Sequence, residues 1–335
     1  MNQNLKETIH EAAAGVYRIL VPLPKNPLRF LNAYLIRGDA AHGGRNLLID
    51  TGFNRPECET VLRGALKALN ADPGGTDIFV THLHSDHCGL MKKMASAGSR
   101  IYCSKADGDL INYATTPAYW EELDGIYAHY GYPSRGKTNM ENHPGWEYNV
   151  REKVNFIPVD EGQTMEYGGY TLRSVWTPGH TPGHMCLYDG SKQLLFCADH
   201  VLDDITPNIT VEVGMDNPLR LYLDSLGKVE TLDVRTALTG HRRSPDSFRK
   251  RIAELRAHHI ARLEELIGIL GTRAMNAYEA AAAMHWDVSF DRWEDFPLSQ
   301  KWFAAGEAIA HLQYLYGEGR INRFESEGVY FYSRD

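Results

Sequence analysis

Short apolar segments alternate with turn-forming residues over the first 245 positions of the chain. Val16–Val21 and Ala33–Arg37 are rich in β-branched and aromatic residues, which is typical of strands, and Pro22 ends the first of them. Glu57–Leu69 instead carries apolar residues three and four positions apart, which predicts a helix. Further predicted strands are Asn46–Asp50, Asp77–Val80, Val154–Val159, Tyr170–Val175, Met185–Tyr188 and Gln193–Cys197. Strands, a helix and then more strands predict an α+β domain with two layered sheets.

The pattern becomes helical after Ser244 and Pro245. Three segments have apolar residues at helical spacing, and two strand-like segments follow around a turn at Ser326–Gly328. The predicted helices are Ser247–Leu270, Ala277–Met284 and Ser299–Glu318, and the predicted strands are Arg320–Glu325 and Val329–Tyr332. Three helices and a hairpin are typical of a winged helix. We therefore expect one domain over residues 1–245 and a winged-helix-like domain over residues 246–335.

An aromatic-rich insert at about residues 105–150 interrupts the strand pattern, with Gly, Pro and Asn between its Tyr and Trp residues. Two interpretations stay open at this point. The insert forms a lid or pocket wall over a site, or it forms a helical hairpin that packs its aromatic side chains into a small core of its own. His129 and His143 lie in this insert, and we favour structural roles for them over substrate contacts.

The composition is ordinary for a globular protein: of 335 residues, 43% are hydrophobic and 23% are charged. The formal net charge of -8 argues against a general nucleic-acid binder. The five cysteines include no CxxC pair, which argues against a disulfide framework and against a thiolate zinc site. A signal-peptide pattern and an uncharged apolar run of about 20 residues are both absent from the sequence, so we expect a cytoplasmic protein without a membrane partner.

Metal-binding side chains follow the strand predicted at Asp77–Val80. His82 and His84 are two residues apart, so in an extended segment both rings point the same way and can meet one ion. The turn that follows can aim Asp86 and His87 at a second ion. Imidazole nitrogens suit zinc and iron, and a carboxylate adds the negative charge that a pair of divalent ions requires. The spacing therefore predicts a metal site at this strand end.

More histidines and an aspartate follow other predicted strands. His180 and His184 lie in a Pro-Gly-rich turn, Asp199 follows the strand Gln193–Cys197, and His241 closes a Thr-Gly-His sequence. Each of these residues alone is weak evidence, because a lone histidine is usually structural. Together, at successive strand ends, they indicate one site assembled from several loops.

This order of residues resembles the metallo-β-lactamase superfamily, whose seven ligand positions are all matched, as is its Asp50-Thr51-Gly52 turn. The matching residues are His82, His84, Asp86, His87, His180, Asp199 and His241. The resemblance covers about residues 14 to 245 and implies an αββα four-layer sandwich with the metals at one edge of its two sheets. The C-terminal part resembles the winged helix of one branch of the family, which includes a mitochondrial RNA-cleaving relative.

The resemblance implies a dinuclear site for two Zn²⁺, with iron or manganese as alternatives. It assigns His82, His84 and His180 to the first ion, Asp86, His87 and His241 to the second, and Asp199 to both. A hydroxide shared by two ions about 3.5–4 Å apart is the nucleophile in such sites. Asp86 is the expected catalytic residue, which orients the hydroxide and accepts a proton. Asp50 is expected to accept a ring N–H from a ligand histidine, and His184 to form a hydrogen bond within its turn, with direct metal binding as the alternative.

The metal pattern also resembles that of thioester-cleaving relatives of the glyoxalase II type and of lactone-opening relatives, which implies a hydrolase that acts on a small ester, thioester or lactone. The aromatic insert suits a substrate with an apolar or acyl part. The resemblance leaves open an RNA phosphodiesterase and an iron-dependent sulfur dioxygenase, and a non-catalytic binding module is the remaining alternative. Acidic residues outnumber basic ones in residues 246–335, which argues against RNA because phosphates are neutralised by Lys and Arg. A homodimer formed through the winged helix also stays open.

Overall fold

The computed structural model describes residues 7–133, 144–271, 273–287, 290 and 292–334. Its larger sheet has seven strands in chain order, and these are β1 (Ile9–Ala13), β2 (Val16–Pro22), β3 (Phe30–Ile36), β4 (Asn46–Ile49), β5 (Thr76–Phe79), β6 (Ile101–Ser104) and β7 (Ile157–Val159). The first four strands are antiparallel, whereas β4 to β7 run parallel. The carboxyl ends of β4 and β5 therefore meet at the same edge of the sheet.

The second sheet has the order β12-β11-β10-β9-β8. Its strands are β8 (Thr164–Tyr167), β9 (Tyr170–Trp176), β10 (Met185–Asp189), β11 (Leu194–Ala198) and β12 (Thr236–Thr239). Neighbouring strands are antiparallel except for β11 and β12, which are parallel. The carboxyl ends of β11 and β12 therefore lie side by side. Asp199 and His241 follow these two ends.

Helices cover the outer faces of both sheets. In the described part of the chain they are α1 (Pro56–Ala68), α2 (Ser85–Cys88), α3 (Met91–Met94), α4 (Lys105–Tyr113), α5 (Pro117–His129), α6 (Pro144–Tyr148), α7 (Pro218–Glu230), α8 (Phe248–Leu270), α9 (Ala277–Ala283) and α10 (Leu298–Gly317). Within the same described ranges, 3₁₀ turns lie at Ala40–His42 and Trp293–Asp295, and a hairpin of β13 (Asn322–Ser326) and β14 (Val329–Ser333) follows α10.

Three apolar clusters define four layers. Between the sheets, Tyr34 and Phe79 pack with Leu187 and Phe196. On the outer face of the larger sheet, residues such as Leu48 and Ile78 pack against Leu62 and Leu66 of α1. On the outer face of the second sheet, Val175 and Leu195 pack with Leu226 of α7 and Ile252 of α8. Burial of these apolar faces drives the layering, and the predicted αββα four-layer sandwich is confirmed.

The predicted C-terminal helices and hairpin are found within two residues of their predicted limits. Met275, just before α9, exchanges two backbone hydrogen bonds with Tyr332 of β14, at 3.0 and 2.8 Å. The helices of this region share one apolar cluster with α7 and the second sheet. The winged-helix description and the division at residue 245 stay predictions.

The aromatic insert does not form a core of its own. Tyr119, Trp120 and Tyr127 are buried in the cluster that also contains the C-terminal helices. Tyr127 stacks on Trp302 of α10, with ring centroids 4.5 Å apart. The separate-core interpretation is therefore wrong, because these rings gain more burial against the C-terminal helices than a short hairpin alone offers. Residues 134–143, with His143, lie outside the described residues.

All five cysteines are buried and free of disulfide bonds. Buried free cysteines of this kind pack as small apolar residues. Over the described ranges, no helix is long and apolar enough to cross a membrane.

One buried carboxylate ties the parallel strands together. Asp77 of β5 is fully buried and forms ion pairs with Arg45 and Arg100, which directly precede β4 and β6. Tyr167 of β8 donates a hydrogen bond to the same carboxylate at 2.7 Å, which links the two sheets. Burial alone raises the pKa of Asp77, but the bonds from Arg45, Arg100 and Tyr167 outweigh it and hold that pKa well below its usual range.

Replacing Asp77 by Asn tests this anchor. We expect Asp77→Asn to lower the free energy of unfolding at pH 7 by about 2 kcal/mol, less than for a fully buried pair because both guanidinium groups are partly exposed. Since the folded pKa is depressed, this contribution is present above about pH 5 and is lost as the pH falls below the unfolded pKa of about 3.9. Urea unfolding at pH 7 and pH 3 measures both effects.

The matched control is Asp109→Asn, which removes an exposed carboxylate paired with Lys105. Its effect is expected to stay below about 0.5 kcal/mol. Equal losses in the two variants, or a difference between wild type and Asp77→Asn that does not shrink at pH 3, contradict the anchor.

Candidate metal centre

The loop after β5 carries four of the predicted residues, and the carboxylate of Asp50 shapes it. Asp50 follows β4 with a φ of 60°, a conformation that Asp tolerates better than most residues. Its Oδ1 accepts the backbone N–H of Thr81 at 2.9 Å, and its Oδ2 accepts the Thr81 hydroxyl at 2.8 Å. Oδ2 also accepts the ring Nδ1–H of His87 at 2.7 Å. Asp50 thus holds the start and the end of the loop, and it makes the predicted contact to a candidate ligand histidine.

The structure brings all seven predicted residues together. Three groups have their nitrogen and oxygen ligand atoms within 4.8 Å of one another. These groups are His82, His84 and His180; His82, His87 and Asp199; and Asp86, His87 and His241. They share members, so they form one continuous cluster.

The first and third groups are each compact. His82 Nε2 lies 3.2 Å from His84 Nδ1. On the other side, His241 Nε2 lies 3.3 Å from both His87 Nε2 and Asp86 Oδ2. These separations suit side chains that face a common ion.

Asp199 lies between the two groups. Its Oδ2 is 3.5 Å from His87 Nε2 and 3.4 Å from His241 Nε2. The same oxygen is 3.7 Å from His180 Nε2. Gly240 leaves room for this carboxylate, because a Cβ atom at that position would press against Asp199 and the His87 ring.

Hydrogen bonds on the far side of the rings select which nitrogen faces the cluster. His180 donates Nδ1–H to the Asn208 carbonyl at 2.8 Å, and His241 donates Nδ1–H to the Phe30 carbonyl at 2.9 Å. The Thr81 hydroxyl, which donates to Asp50, accepts Nδ1–H of His82 at 3.0 Å. Each ring therefore turns its Nε2 towards the cluster, and this is the nitrogen that would bind a cation once it carries no proton.

The donor set fits divalent cations. The buried Nε2 of His180 and Oδ1 of Asp199 have no hydrogen-bond partner among the residues that the structure describes. A buried polar atom without a partner costs about 1–3 kcal/mol, which a bound cation would relieve. Imidazole nitrogens with two carboxylates match zinc, iron or manganese better than calcium or magnesium.

The electrostatics of the cluster follow from its burial and its two carboxylates. Burial and the neighbouring His84 lower the pKa of His180 to about 3. Burial also disfavours the charged form of His241, but Asp199 and Asp86 raise its pKa to about 10. Burial opposes ionisation of Asp86, yet His87 and His241 lower its pKa to about 2. The carboxylates therefore stay ionised at neutral pH and attract positive charge.

His184 occupies a separate position. Its Nδ1 is 2.8 Å from the Thr177 hydroxyl, which is the predicted bond within the turn. Its ring centroid is 5.1 Å from that of His82, but its ring nitrogens do not join the three groups. This geometry favours a supporting role over direct metal binding.

Sequence reasoning missed two buried acids. Asp107 of α4 accepts the Leu83 N–H at 2.8 Å, the Thr181 hydroxyl at 2.6 Å and the Gly183 N–H at 2.6 Å. It thereby ties the two histidine loops together. Burial raises its pKa to about 6, against the bonds from Thr181 and Gly183. The only signal in the sequence is a Ser-x-x-Asp helix start at Ser104, which predicts a cap and not this contact.

The second missed acid is Glu212. It is buried in an apolar stretch, accepts the Tyr119 hydroxyl at 2.9 Å and lies 3.9 Å from His84 Nε2. It is therefore placed to orient His84 so that Nδ1 faces the cluster. An acid inside the run Thr210-Val211-Glu212-Val213 was the available signal.

Asp107→Asn tests the tie between the histidine loops. The amide has nearly the volume of the carboxylate, but its NH₂ group then faces the N–H and O–H groups that donate to Asp107. We therefore expect the free energy of unfolding, measured by urea titration, to fall by about 2 kcal/mol. Asp109→Asn, on the exposed face of the same helix, is expected to change stability by less than about 0.5 kcal/mol. A stable Asp107→Asn protein would mean that the loops are held by other contacts.

Comparison with known proteins places this geometry in a family. A family model described as "Metallo-beta-lactamase superfamily" matches residues 27–241. A second, described as "Metallo-beta-lactamase-like, C-terminal domain", matches residues 263–335.

Similar proteins agree with this match. The beta-lactamase-like protein 2 homolog of Caenorhabditis elegans is 25% identical over 94% of this chain and 88% of that protein. The atrochrysone carboxyl ACP thioesterase AacuM of Aspergillus aculeatus is 26% identical over 76% of this chain, and the match spans 65% of that longer protein. A crystal structure of a metallo-beta-lactamase family protein from Thermus thermophilus has a TM-score of 0.81 and 29% identity, and covers 97% of this chain and 100% of that chain. The first family model matches more than half of this chain, and the chain therefore belongs to the metallo-beta-lactamase superfamily.

Proposed function

We propose that this metal-dependent hydrolase holds two divalent cations and cleaves a small thioester, ester or lactone. The observation that carries the proposal is the position of Asp199, whose carboxylate lies between two compact groups of metal-binding side chains. A single carboxylate in contact distance of both groups is what a pair of neighbouring cations requires.

The proposed division of the ligands between the two cations follows two of the three compact groups. His82, His84 and His180 would hold the first, Asp86, His87 and His241 would hold the second, and Asp199 would contact both. We expect zinc, with iron or manganese as alternatives that accept the same donors. Two such cations, when bound, supply Lewis acidity toward the substrate carbonyl and a water whose pKa is lowered toward neutrality.

Asp86 is the proposed catalytic residue. Its Oδ2 lies 3.3 Å from His241 Nε2 and 3.8 Å from His87 Nε2, and its side chain is 13% exposed, so it reaches the open side of the cluster. An ionised carboxylate there can accept a hydrogen bond from an attacking water, orient it, and take its proton. Its low pKa means that the carboxylate is ionised at neutral pH and can accept that hydrogen bond.

A thioester is our first choice of substrate. The relative AacuM is named a thioesterase, and its match covers most of this chain. The aromatic insert lies beside the cluster through the Tyr119–Glu212 contact, so apolar surface is available near the site. The net charge of -8 supports a neutral small molecule over a polyanion such as RNA.

Metal analysis combined with a substrate panel tests this proposal. Protein loaded with zinc and dialysed is expected to retain about two ions per chain and to hydrolyse thioesters, lactones or esters. His241→Ala removes a residue of one group only, so we expect it to retain about one ion and to lose at least about 100-fold in kcat/KM. Elemental analysis and a thiol-release assay give both readouts.

His285→Ala is the matched control, since this histidine is exposed and outside the cluster. One iron per chain with oxygen consumption would replace our proposal with a dioxygenase. Cleavage of RNA without hydrolysis of any carbonyl substrate would replace it with a phosphodiesterase. Activities that stay unchanged in His82→Ala would point to a binding module.

A further inference from the structure

An irregular segment of the chain, Asn208–Glu212, contacts two of the candidate ligand histidines from outside the cluster. The backbone carbonyl of Asn208 accepts the Nδ1–H of His180 at 2.8 Å. The carboxylate of Glu212 lies 3.9 Å from Nε2 of His84. Both histidines belong to the first group of candidate ligands, so this segment bears on one of the two proposed cation positions.

These two contacts act on the orientation of the rings. The bond to the Asn208 carbonyl leaves Nε2 of His180 facing the cluster. The distance from Glu212 to His84 is longer than a direct hydrogen bond, but the carboxylate still attracts the Nε2–H dipole and favours the tautomer whose Nδ1 is free to bind. Loss of such a partner on the far side of a ligand histidine weakens metal binding by about 10- to 100-fold.

The backbone of this segment does not hold itself in place. The segment lies in the connection between β11 and α7, outside the helices and strands. Within the part of the chain that the structure describes, no hydrogen bond joins the backbone of residues 208–211 to another backbone group. The position of the segment therefore depends on the side chains and helices that pack against it.

Two tyrosines of the aromatic insert hold the segment. Tyr127 and Thr210 are both buried, and their hydroxyl groups share a hydrogen bond with the oxygens 2.7 Å apart. Tyr119 donates its hydroxyl proton to the Glu212 carboxylate at 2.9 Å. Both tyrosines belong to α5, so one helix fixes two points of the segment.

The C-terminal helix α10 packs against the same hydrogen bond. A Cβ atom at Gly306 would overlap the hydroxyl oxygens of Thr210 and Tyr127, so the helix can lie this close only because residue 306 has no side chain. One turn earlier, Trp302 stacks on Tyr127 with ring centroids 4.5 Å apart. The backbone of α10 thus forms the outer support of Thr210.

Helix α8 supports the start of the same connection. Arg251 donates its Nε–H to the Leu202 carbonyl at 2.6 Å and an Nη2–H to the Ile205 carbonyl at 2.9 Å. Two helices of the C-terminal region and one helix of the insert therefore enclose the connection that carries the segment.

The second group of candidate ligands is oriented by a different part of the fold. His87 donates its Nδ1–H to Asp50, which directly follows β4, and His241 donates its Nδ1–H to the carbonyl of Phe30, which begins β3. Both acceptors belong to the larger sheet. A displacement of the segment by α10 can therefore bear on one group of ligands and leave the other in place.

We propose that α5 and α10 position the segment Asn208–Glu212, and that this segment holds the rings of His84 and His180 for the first cation. Thr210 and Gly306 are then positioning residues of the metal centre, although neither is a candidate ligand. The insert and the C-terminal region thereby control the affinity for one cation and not for the other. The inference rests on the proposed function because it needs the two cations of that site.

Zinc binding to variants of Thr210 tests this role. Competition with a chromophoric chelator measures the two zinc dissociation constants, and zinc-edge anomalous maps at increasing zinc assign each constant to a group of ligands. We expect Thr210→Val to weaken binding of the first cation by about tenfold or more and to leave the second within about threefold. Thr210→Ser keeps the hydroxyl group, so it should bind both cations like the wild type.

Gly306→Ala tests the support by α10. The added methyl group must displace Thr210 or the helix, so we expect the same selective loss as in Thr210→Val. Its matched control is Gly268→Ala, since this exposed glycine of α8 has open space around it, and both dissociation constants should stay unchanged. Glu212→Gln removes the charge beside His84 and should also weaken only the first cation. If Gly306→Ala does not fold, the two variants of Thr210 decide alone.

The outcomes separate this inference from the proposed function. If Thr210→Val weakens both cations equally or neither, or if Thr210→Ser loses as much as Thr210→Val, the positioning role is wrong while the two-cation site stands. If the selective loss is found but the wild type hydrolyses no thioester, ester or lactone, the inference stands and the hydrolase fails.

A wild type that binds a single cation would contradict the two-cation site. The positioning role would then be supported only if that cation lies in the first group and Thr210→Val weakens it. A cation in the second group, an unchanged affinity, or no bound cation would overturn the role.

Discussion

The carboxylate of Asp50 is the contact on which the metal centre depends. It accepts hydrogen bonds from the Thr81 backbone, the Thr81 hydroxyl and His87 Nδ1. Through Thr81 it also fixes the ring of His82. One buried acid thus sets the inward-facing nitrogen of a histidine in each of the two candidate cation groups. Asp50 can reach Thr81 and His87 because β4 and β5 are parallel, so the residues that follow these strands meet at the same edge of the sheet.

The same constraint recurs in the second sheet. The strands β11 and β12 are parallel, and their carboxyl ends bring Asp199 and His241 side by side. Stacking of the two sheets through residues such as Tyr34 and Phe196 then joins the two edges into one cluster. The chemistry is therefore a consequence of strand direction, and the interior apolar layer fixes its geometry.

The predictable part of this molecule is the part with local signals. Most strand and helix limits follow apolar periodicity, although β7 begins at Ile157 and not at the predicted Val154. The pair His82 and His84 follows the two-residue repeat of an extended segment. The acids Asp107 and Glu212 were not predictable, because their roles depend on partners such as Thr181 and Tyr119 that are about 70 to 90 residues away in the chain. The burial of the insert against α10 is equally non-local. Tyr127 stacks on Trp302, but the apolar spacing within each helix does not predict which other helix it packs against.

Anomalous X-ray scattering at the zinc edge from zinc-loaded crystals tests directly whether two cations share Asp199. We expect two anomalous peaks about 3.5–4 Å apart. One peak should lie among His82, His84 and His180, the other among Asp86, His87 and His241, with Asp199 in contact with both. A single peak, or two peaks that do not share Asp199, would contradict it.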